Sequence, residues 1–127
     1  MDTNDMEADR PLTEDERALL AWLLEHGCPT PAEKAQLSSV RVAGHCDCGC
    51  RTVHLAVAGK QAPLARESAI IADFFGKDPN GVFVGVMLHV REGLLSELEV
   101  YSLDDVKTYA LPRPEELQPS RRPQEQE

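Results

Sequence analysis

Residues 82–102 read VFVGVMLHVREGLLSELEVYS, and apolar side chains occupy most alternate positions on either side of Glu92 and Gly93. Successive side chains of a β-strand point to opposite faces, so this alternation predicts two strands that each bury one face. The intervening Arg91, Glu92 and Gly93 suit the turn between the two strands. The stretch therefore predicts a β-hairpin with one apolar face and one polar face.

The register of this hairpin depends on the length of its turn. A turn of three residues, 91–93, sets Val86 opposite Leu98, whereas a turn of two residues sets Val86 opposite Glu99. Because a slip of one residue exchanges the two faces of a strand, we predict the three-residue turn. Gly93 then lies where such a turn favours a left-handed residue. The predicted pairs are Val90 with Leu94, Leu88 with Ser96, Val86 with Leu98, and Val84 with Val100.

Two helix signals precede the strands. Thr13 and Glu16 have the spacing of a capping box, and leucines recur at helical spacing after them. Gly27 is expected to end this helix in the left-handed conformation. A second helix is predicted from Pro31 to about residue 38, because Thr30 can cap it and proline suits its first position.

Three shorter strand signals lie between the helices and the hairpin, at residues 40–44, 53–57 and 69–75. We therefore predict an α+β fold, with two N-terminal helices packed on one face of a mainly antiparallel sheet of about five strands. This single domain is assigned to residues 12–111. Residues 1–11 are acidic and residues 112–127 are rich in proline, so composition assigns both ends to mobile tails.

The net charge is −9, from 13 basic and 22 acidic residues. Such a charge repels nucleic-acid phosphates and anionic lipids, so we expect no nucleic-acid or membrane partner. Another protein with a cationic surface, or a metal ion, fits this charge better. The N-terminus has acids where a secretory signal carries bases, and no apolar run is long enough to span a membrane. We therefore predict a cytoplasmic protein whose cysteines are not joined in structural disulfides.

A cluster of potential soft-metal ligands occupies residues 45–50, which read HCDCGC, and His54 follows. Cys46, Cys48 and Cys50 could supply three ligands to zinc, with His45, His54 or Cys28 as the fourth. Copper(I) suits the same thiolates. Two alternatives remain open, namely three reduced thiols in a tight turn and a redox-active pair.

A second constellation follows from the hairpin. His89, Glu97, Glu99 and Tyr101 are expected to share the face opposite the valines, and strand order decides whether other polar residues, His54 and Asp73, join them. Two carboxylates and a histidine could act as acid and base or bind a hard cation. The same pattern is also typical of an ordinary solvent-exposed sheet face.

Common catalytic signatures are absent from the sequence, including phosphate-binding loops, dinucleotide-binding glycine patterns and serine-nucleophile elbows. Cys28 follows a helix end and is expected to be a packing residue. We therefore favour a non-catalytic module that presents an acidic sheet face or edge to another protein. The expected contact residues are His89, Glu97, Glu99 and Tyr101. The alternative is a metal-binding or thiol-dependent protein that uses the cysteine cluster, with zinc as the expected metal.

Two motifs carry a family resemblance. The CDCGC run at residues 46–50 and the sequence LSELEVYS at residues 95–102 resemble a family of small uncharacterised bacterial proteins. The opening PLTEDER at residues 11–17 is similar to the start of those proteins. This resemblance implies a domain of unknown function. It assigns a role to no residue.

Overall fold

The computed structural model describes residues 9–45, 51–63 and 65–120. Within these ranges two α-helices precede the sheet: α1 (Glu14–His26) and α2 (Pro31–Ala35), the latter continued by a 3₁₀ turn (Gln36–Ser39). The strands are β1 (Val40–His45), β2 (Val53–Val57), β3 (Ala69–Lys77), β4 (Phe83–Arg91), β5 (Leu94–Ser102) and β6 (Gln118–Pro119). None of the helices in these ranges is long and apolar enough to span a bilayer.

The strands form one sheet in the order β1-β2-β5-β4-β3-β6, and every neighbouring pair is antiparallel. The fold is therefore α+β, as predicted. The sixth strand, which the sequence pattern did not predict, is two residues long and pairs with Phe74 and Phe75 at the outer edge of β3. Composition placed residues 112–120 in a tail, but in the structure Leu117 is buried and 118–119 extend the sheet.

The hydrophobic core lies between α1 and one face of the sheet, here called the inner face. Four leucines of α1 are at most 2% exposed, namely Leu19, Leu20, Leu23 and Leu24. Facing them are the alternating apolar residues of the strands, and the ring of Trp22 meets that of Phe74 edge-on with centroids 4.9 Å apart. α2 contributes no fully buried side chain. The helix that packs on the sheet is thus mainly α1.

The predicted register of the β4–β5 hairpin is wrong. Arg91 pairs with Leu94 across a two-residue turn, in which Glu92 and Gly93 have φ values of 54° and 79°. Two consecutive positive φ values are those of a type I′ turn, whose twist matches that of the strands. The register then shifts: Val90 pairs with Leu95, but His89 pairs with Glu97. The extra residue is therefore Ser96, in a β-bulge on β5, and not a third residue of the turn as predicted.

The bulge restores the separation of the two faces. Beyond it, Leu88 pairs with Leu98 and Val86 with Val100, all four fully buried. Without the bulge, the pairing that begins with Arg91 and Leu94 would continue in step and set Val86 opposite Glu99. The short turn and the bulge therefore compensate each other, and the inner face stays apolar.

Gly27 ends α1, but not in the predicted left-handed conformation. Its φ is −86°, and its N–H donates to the carbonyl oxygen of Leu23 at 2.7 Å. The next N–H, that of Cys28, donates to the Ile71 carbonyl oxygen of β3 at 2.8 Å. A Cβ at Gly27 would overlap that same Ile71 oxygen and lie 2.9 Å from the Cβ of Ala72. Glycine is required here by the close approach of α1 to β3.

The capping box that begins α1 is present as predicted. The Thr13 hydroxyl accepts from the Glu16 N–H, and the Glu16 carboxylate accepts from the Thr13 N–H. Arg10 adds two hydrogen bonds to the same carboxylate, at 2.8 and 2.9 Å. Burial alone would raise the pKa of Glu16, but the bonds from Arg10 and Thr13 outweigh burial and hold this pKa below its ordinary value.

Candidate functional site

Polar side chains from four strands gather on the face opposite the core, here called the outer face. His89 pairs with Glu97 across β4 and β5, and Glu97 pairs in turn with His54 of β2. Directly paired residues of antiparallel strands project to the same face. The structure therefore brings the predicted constellation together. The other outer-face pairs are Met87 with Glu99, Gly85 with Tyr101, and Asp73 with Met87.

His89, Glu97 and Glu99 form a compact cluster near the bulge. One ligand atom from each lies within 4.8 Å of the other two. The Nε2 atom of His89 is 2.7 Å from Glu99 Oε1, and its Nδ1 atom is 3.0 Å from the Ser68 hydroxyl oxygen. The His89 side chain is 11% exposed, whereas Glu97 and Glu99 are 18% and 34% exposed. The imidazole is therefore buried beneath carboxylates that reach solvent.

Arg91 fixes the second carboxylate of this cluster. Its Nη1 atom lies 3.3 Å from Glu97 Oε1 and donates to the Ser96 hydroxyl at 2.9 Å. Its Nε atom donates to the carbonyl oxygen of Arg66 at 3.0 Å. Ser96 is the residue that the bulge adds, and Arg66 belongs to the connection between β2 and β3. Sequence reasoning did not predict either partner.

Tyr101 lies on the outer face farther from the bulge. Burial raises the pKa of its phenol, and the negative charges of Asp73 and Glu99 raise it further. The ring lies against Gly85 of β4, since a Cβ at that glycine would overlap the ring carbon Cζ. Tyr101 therefore separates the cluster from the far end of the hairpin.

The predicted cysteine site lies largely outside the described residues, because Cys46, Cys48 and Cys50 are not among them. His45 ends β1 and is exposed, and His54 pairs with Gly44 in the neighbouring strand β2. The Nδ1 atom of His54 is buried, and it has no hydrogen-bond partner in the described part of the chain.

Cys28 is exposed, so its prediction as a packing residue is wrong. It lines a groove of about 460 Å³ beside the end of α1. Gly27, Phe74 and Pro119 line the same groove. Its backbone N–H is bonded to β3, through the carbonyl oxygen of Ile71.

An exposed apolar patch occupies the end of the β4–β5 hairpin opposite the bulge. Phe83, Leu103 and Val106, here called the tip patch, are 37%, 49% and 39% exposed. They are three of the four large apolar residues in the described ranges that are exposed, the fourth being Ile70 on β3. Sequence reasoning missed this patch. Its signal was Phe83, a large apolar residue on the same strand face as His89 and Arg91.

Backbone contacts hold the tip patch together. The N–H of Leu103 donates to the Phe83 carbonyl oxygen at 2.8 Å, and the N–H of Phe83 donates to Asp104 Oδ2 at 2.9 Å. The N–H of Val106 donates to the Ser102 hydroxyl at 3.1 Å, which folds the chain back after β5. The three apolar side chains are thus presented by backbone that is fixed in place.

A groove of about 440 Å³ adjoins the tip patch. Phe83 and Phe75 line it with ring centroids 6.4 Å apart, and the Lys77 ammonium lies 5.1 Å from the centre of the Phe83 ring. Glu115 and Glu116 line the opposite side. The end of the hairpin therefore combines an apolar patch with a mainly acidic border, in which Lys77 is a basic side chain in contact with Phe83.

Comparison with known proteins gives a family but no activity. A family model described as "Domain of unknown function (DUF6984)" matches residues 9–112. This agrees with the predicted resemblance to an uncharacterised family. Neither a curated protein nor a solved structure matches the chain.

Proposed function

The chain belongs to the DUF6984 family, a domain of unknown function, and we propose that it is a small non-catalytic domain that binds another protein through the tip patch. The observation that carries this proposal is the clustering of Phe83, Leu103 and Val106 at one end of the sheet. Single exposed apolar residues are common on protein surfaces, but a group of them bordered by polar residues marks interaction sites.

The composition of the patch suits a protein interface. Interfaces are enriched in aromatic residues at their centre, and such residues contribute much of the binding energy when the partner buries them. Phe83 lies between Leu103 and the groove that Phe75 lines, so it is the natural anchor. A partner that inserts an apolar side chain into this groove would contact both aromatic rings.

The charges around the patch indicate the chemistry of the partner. Asp104 and Asp105 are exposed next to Leu103, and Glu115 and Glu116 line the adjoining groove. The whole chain carries a net charge of −9. We therefore expect a partner surface with an apolar centre and a rim of lysine or arginine, since opposite potentials speed encounter and exclude wrong partners.

The tip patch lies farther from the β4–β5 turn than Glu97 and Glu99, two of the contact residues predicted from the sequence. Glu97 and Glu99 were expected to meet the partner, and that role stays a prediction. Within the chain, Glu97 already lies 3.3 Å from Arg91, and Glu99 lies 2.7 Å from His89. Both carboxylates therefore already have partners within the chain, whereas the acids beside the tip patch are more exposed.

Replacing Leu103 with serine and Val106 with threonine should weaken binding of the physiological partner while leaving the fold intact, because both side chains are exposed. The Ile70→Ser variant is the matched control, since it removes an equally exposed apolar side chain outside the patch. Candidate partners are captured from the native host by cross-linking. Each candidate is then purified, and calorimetry measures its affinity for the unmodified chain, the patch variant and the Ile70→Ser variant.

We expect the partner to bind the unmodified chain and the Ile70→Ser variant alike, and to bind the patch variant at least about tenfold more weakly. Affinity should also fall as salt is raised, because the acidic border contributes to it. A partner that binds the patch variant as tightly as the unmodified chain would contradict the assignment.

A second candidate function is soft-metal binding by the cysteine cluster, and the Nδ1 atom of His54, which has no partner among the described residues, favours it. A buried imidazole nitrogen without a hydrogen bond is costly, and a metal ion is one ligand that would satisfy it. His54 lies in β2, close in sequence to Cys50, and could act as the fourth ligand.

Elemental mass spectrometry of the untagged protein tests this candidate. We expect close to one zinc or copper atom per chain, lost when Cys46, Cys48 and Cys50 are all replaced by serine. The Cys28→Ser variant, which removes the exposed thiol at the end of α1, should retain the metal. A metal content far below one atom per chain in the unmodified protein would exclude the site.

A further inference from the structure

We propose that His89, Glu97 and Glu99 form a second cation site, which binds a divalent ion of the first transition series. One ligand atom from each residue lies within 4.8 Å of the other two. Bound zinc lies about 2.0–2.2 Å from nitrogen and oxygen ligands, so small side-chain rotations bring all three atoms into range. The three residues sit on adjacent paired strands, and the sheet therefore holds their backbones in place.

The environment of His89 prepares its Nε2 atom for a metal. Ser68 lies 3.0 Å from Nδ1, on the far side of the ring from Glu99. A serine hydroxyl can donate to Nδ1 when Nε2 carries the proton, and can accept from Nδ1–H when Nε2 does not. The ring can therefore change tautomer without losing this bond. A partner on the second nitrogen is a regular feature of metal-binding histidines.

Arg91 prepares the second carboxylate in a similar way. Its guanidinium is held by the Ser96 hydroxyl and the Arg66 carbonyl oxygen, and it orients Glu97 from one side. The two carboxylates and Arg91 leave one net negative charge around the cluster. A divalent ion would take the place of the proton between His89 and Glu99, and the ring would then carry its proton on Nδ1, where the Ser68 hydroxyl accepts it.

Access and ligand type indicate which ions fit. Glu97 and Glu99 are 18% and 34% exposed, so one side of the cluster is open and water can complete the coordination. One imidazole and two carboxylates suit Mn²⁺, Fe²⁺ or Zn²⁺, whereas Ca²⁺ and Mg²⁺ prefer sites built from oxygen alone. Soft thiolate sites do not favour Mn²⁺. Mn²⁺ therefore separates this site from the cysteine cluster.

The proposal is tested by titrating the untagged full chain with Mn²⁺ and following the free ion by electron paramagnetic resonance. We expect one Mn²⁺ per chain. Glu99→Gln and Glu97→Gln should each weaken binding by about 100-fold, since loss of a group that only orients a ligand already costs about 10- to 100-fold. Ser68→Ala should weaken binding by about 10- to 100-fold, because Ser68 orients His89 without touching the ion.

Two controls make the result specific. The variant with serine at positions 46, 48 and 50 should bind Mn²⁺ like the unmodified chain. Glu115→Gln, which removes a carboxylate from the groove beside the tip patch, should do the same. Thermal melting without metal checks that each variant is folded. Absence of saturable Mn²⁺ binding, or binding that survives both glutamine substitutions, would overturn the proposal.

Discussion

Replacing Gly27 with alanine should lower the free energy of unfolding by about 3 kcal/mol, at the upper end of the usual cost of overpacking. A Cβ at this position would overlap the carbonyl oxygen of Ile71 and lie 2.8 Å from that of Leu23. Both atoms are backbone, so neither can move aside by a side-chain rotation. The helix end would have to shift away from β3, and the hydrogen bond from Cys28 to Ile71 would lengthen.

Gly44→Ala is the matched control for this substitution. Among the described residues, the nearest heavy atom to a Cβ at Gly44 would be Cδ2 of His54, at 3.8 Å, which is an ordinary contact. Urea unfolding followed by circular dichroism gives the free energy for each variant. We expect a midpoint close to that of the unmodified protein for Gly44→Ala and a much lower one for Gly27→Ala. Equal midpoints for the two variants would show that α1 and β3 are not in close contact.

The local features of this fold could be predicted from sequence because their causes are local. A capping box needs only Thr13 and Glu16 at the right spacing, and both of its hydrogen bonds are present. Alternation between Val84 and Val90 likewise identifies the buried face of β4 without knowledge of its neighbours. Each of these patterns depends on atoms within a few residues of one another.

The register of the hairpin could not be predicted by the same reasoning. A three-residue turn and a two-residue turn followed by a bulge both keep the faces apart, and alternation alone does not distinguish them. The structure uses the second solution. One signal was available: Leu94 and Leu95 are adjacent apolar residues, which a regular half-buried strand does not require.

In the candidate cation site, too, some features could be predicted from local sequence and others could not. The shared face of His89, Glu97 and Glu99 followed from alternation, but Ser68 and Arg66 come from the irregular connection before β3, which no pattern placed. Their contacts depend on how this connection folds over the sheet. Sequence reasoning therefore identified the potential ligands and missed the groups that orient them.

The bulge at Ser96 links the fold to the proposed cation site. Because of it, Glu97 and Glu99 point to the outer face although the turn has only two residues. The same added residue supplies the hydroxyl that Arg91 contacts, and Arg91 in turn orients Glu97. β-Bulges occur often next to functional sites, where they redirect a side chain. One irregularity thus keeps the core apolar and builds the polar cluster.

Replacing Thr52 with valine should destabilise the protein by about 2–3 kcal/mol, the cost of leaving a buried hydrogen-bonding group without a partner. The Thr52 hydroxyl accepts from the N–H of Val100 at 2.9 Å and donates to the Val100 carbonyl oxygen at 3.1 Å. Both residues are buried, so water cannot replace the lost bonds. Valine has nearly the same shape, and the loss is therefore almost entirely one of hydrogen bonding.

Thr52→Ser separates this effect from packing, because it keeps the hydroxyl and removes a methyl group worth about 1 kcal/mol. The carbonyl oxygen of Val100 also accepts from the Tyr109 hydroxyl at 3.2 Å, so the N–H of Val100 is the group that valine leaves unsatisfied. Amide hydrogen exchange at Val100 should therefore accelerate in Thr52→Val and stay slow in Thr52→Ser. In the described residues β2 pairs with β5 at Val53 and His54, so the Thr52 side chain is a substantial part of this short junction. If the valine variant proved as stable as the serine variant, the junction would have to be held by packing alone.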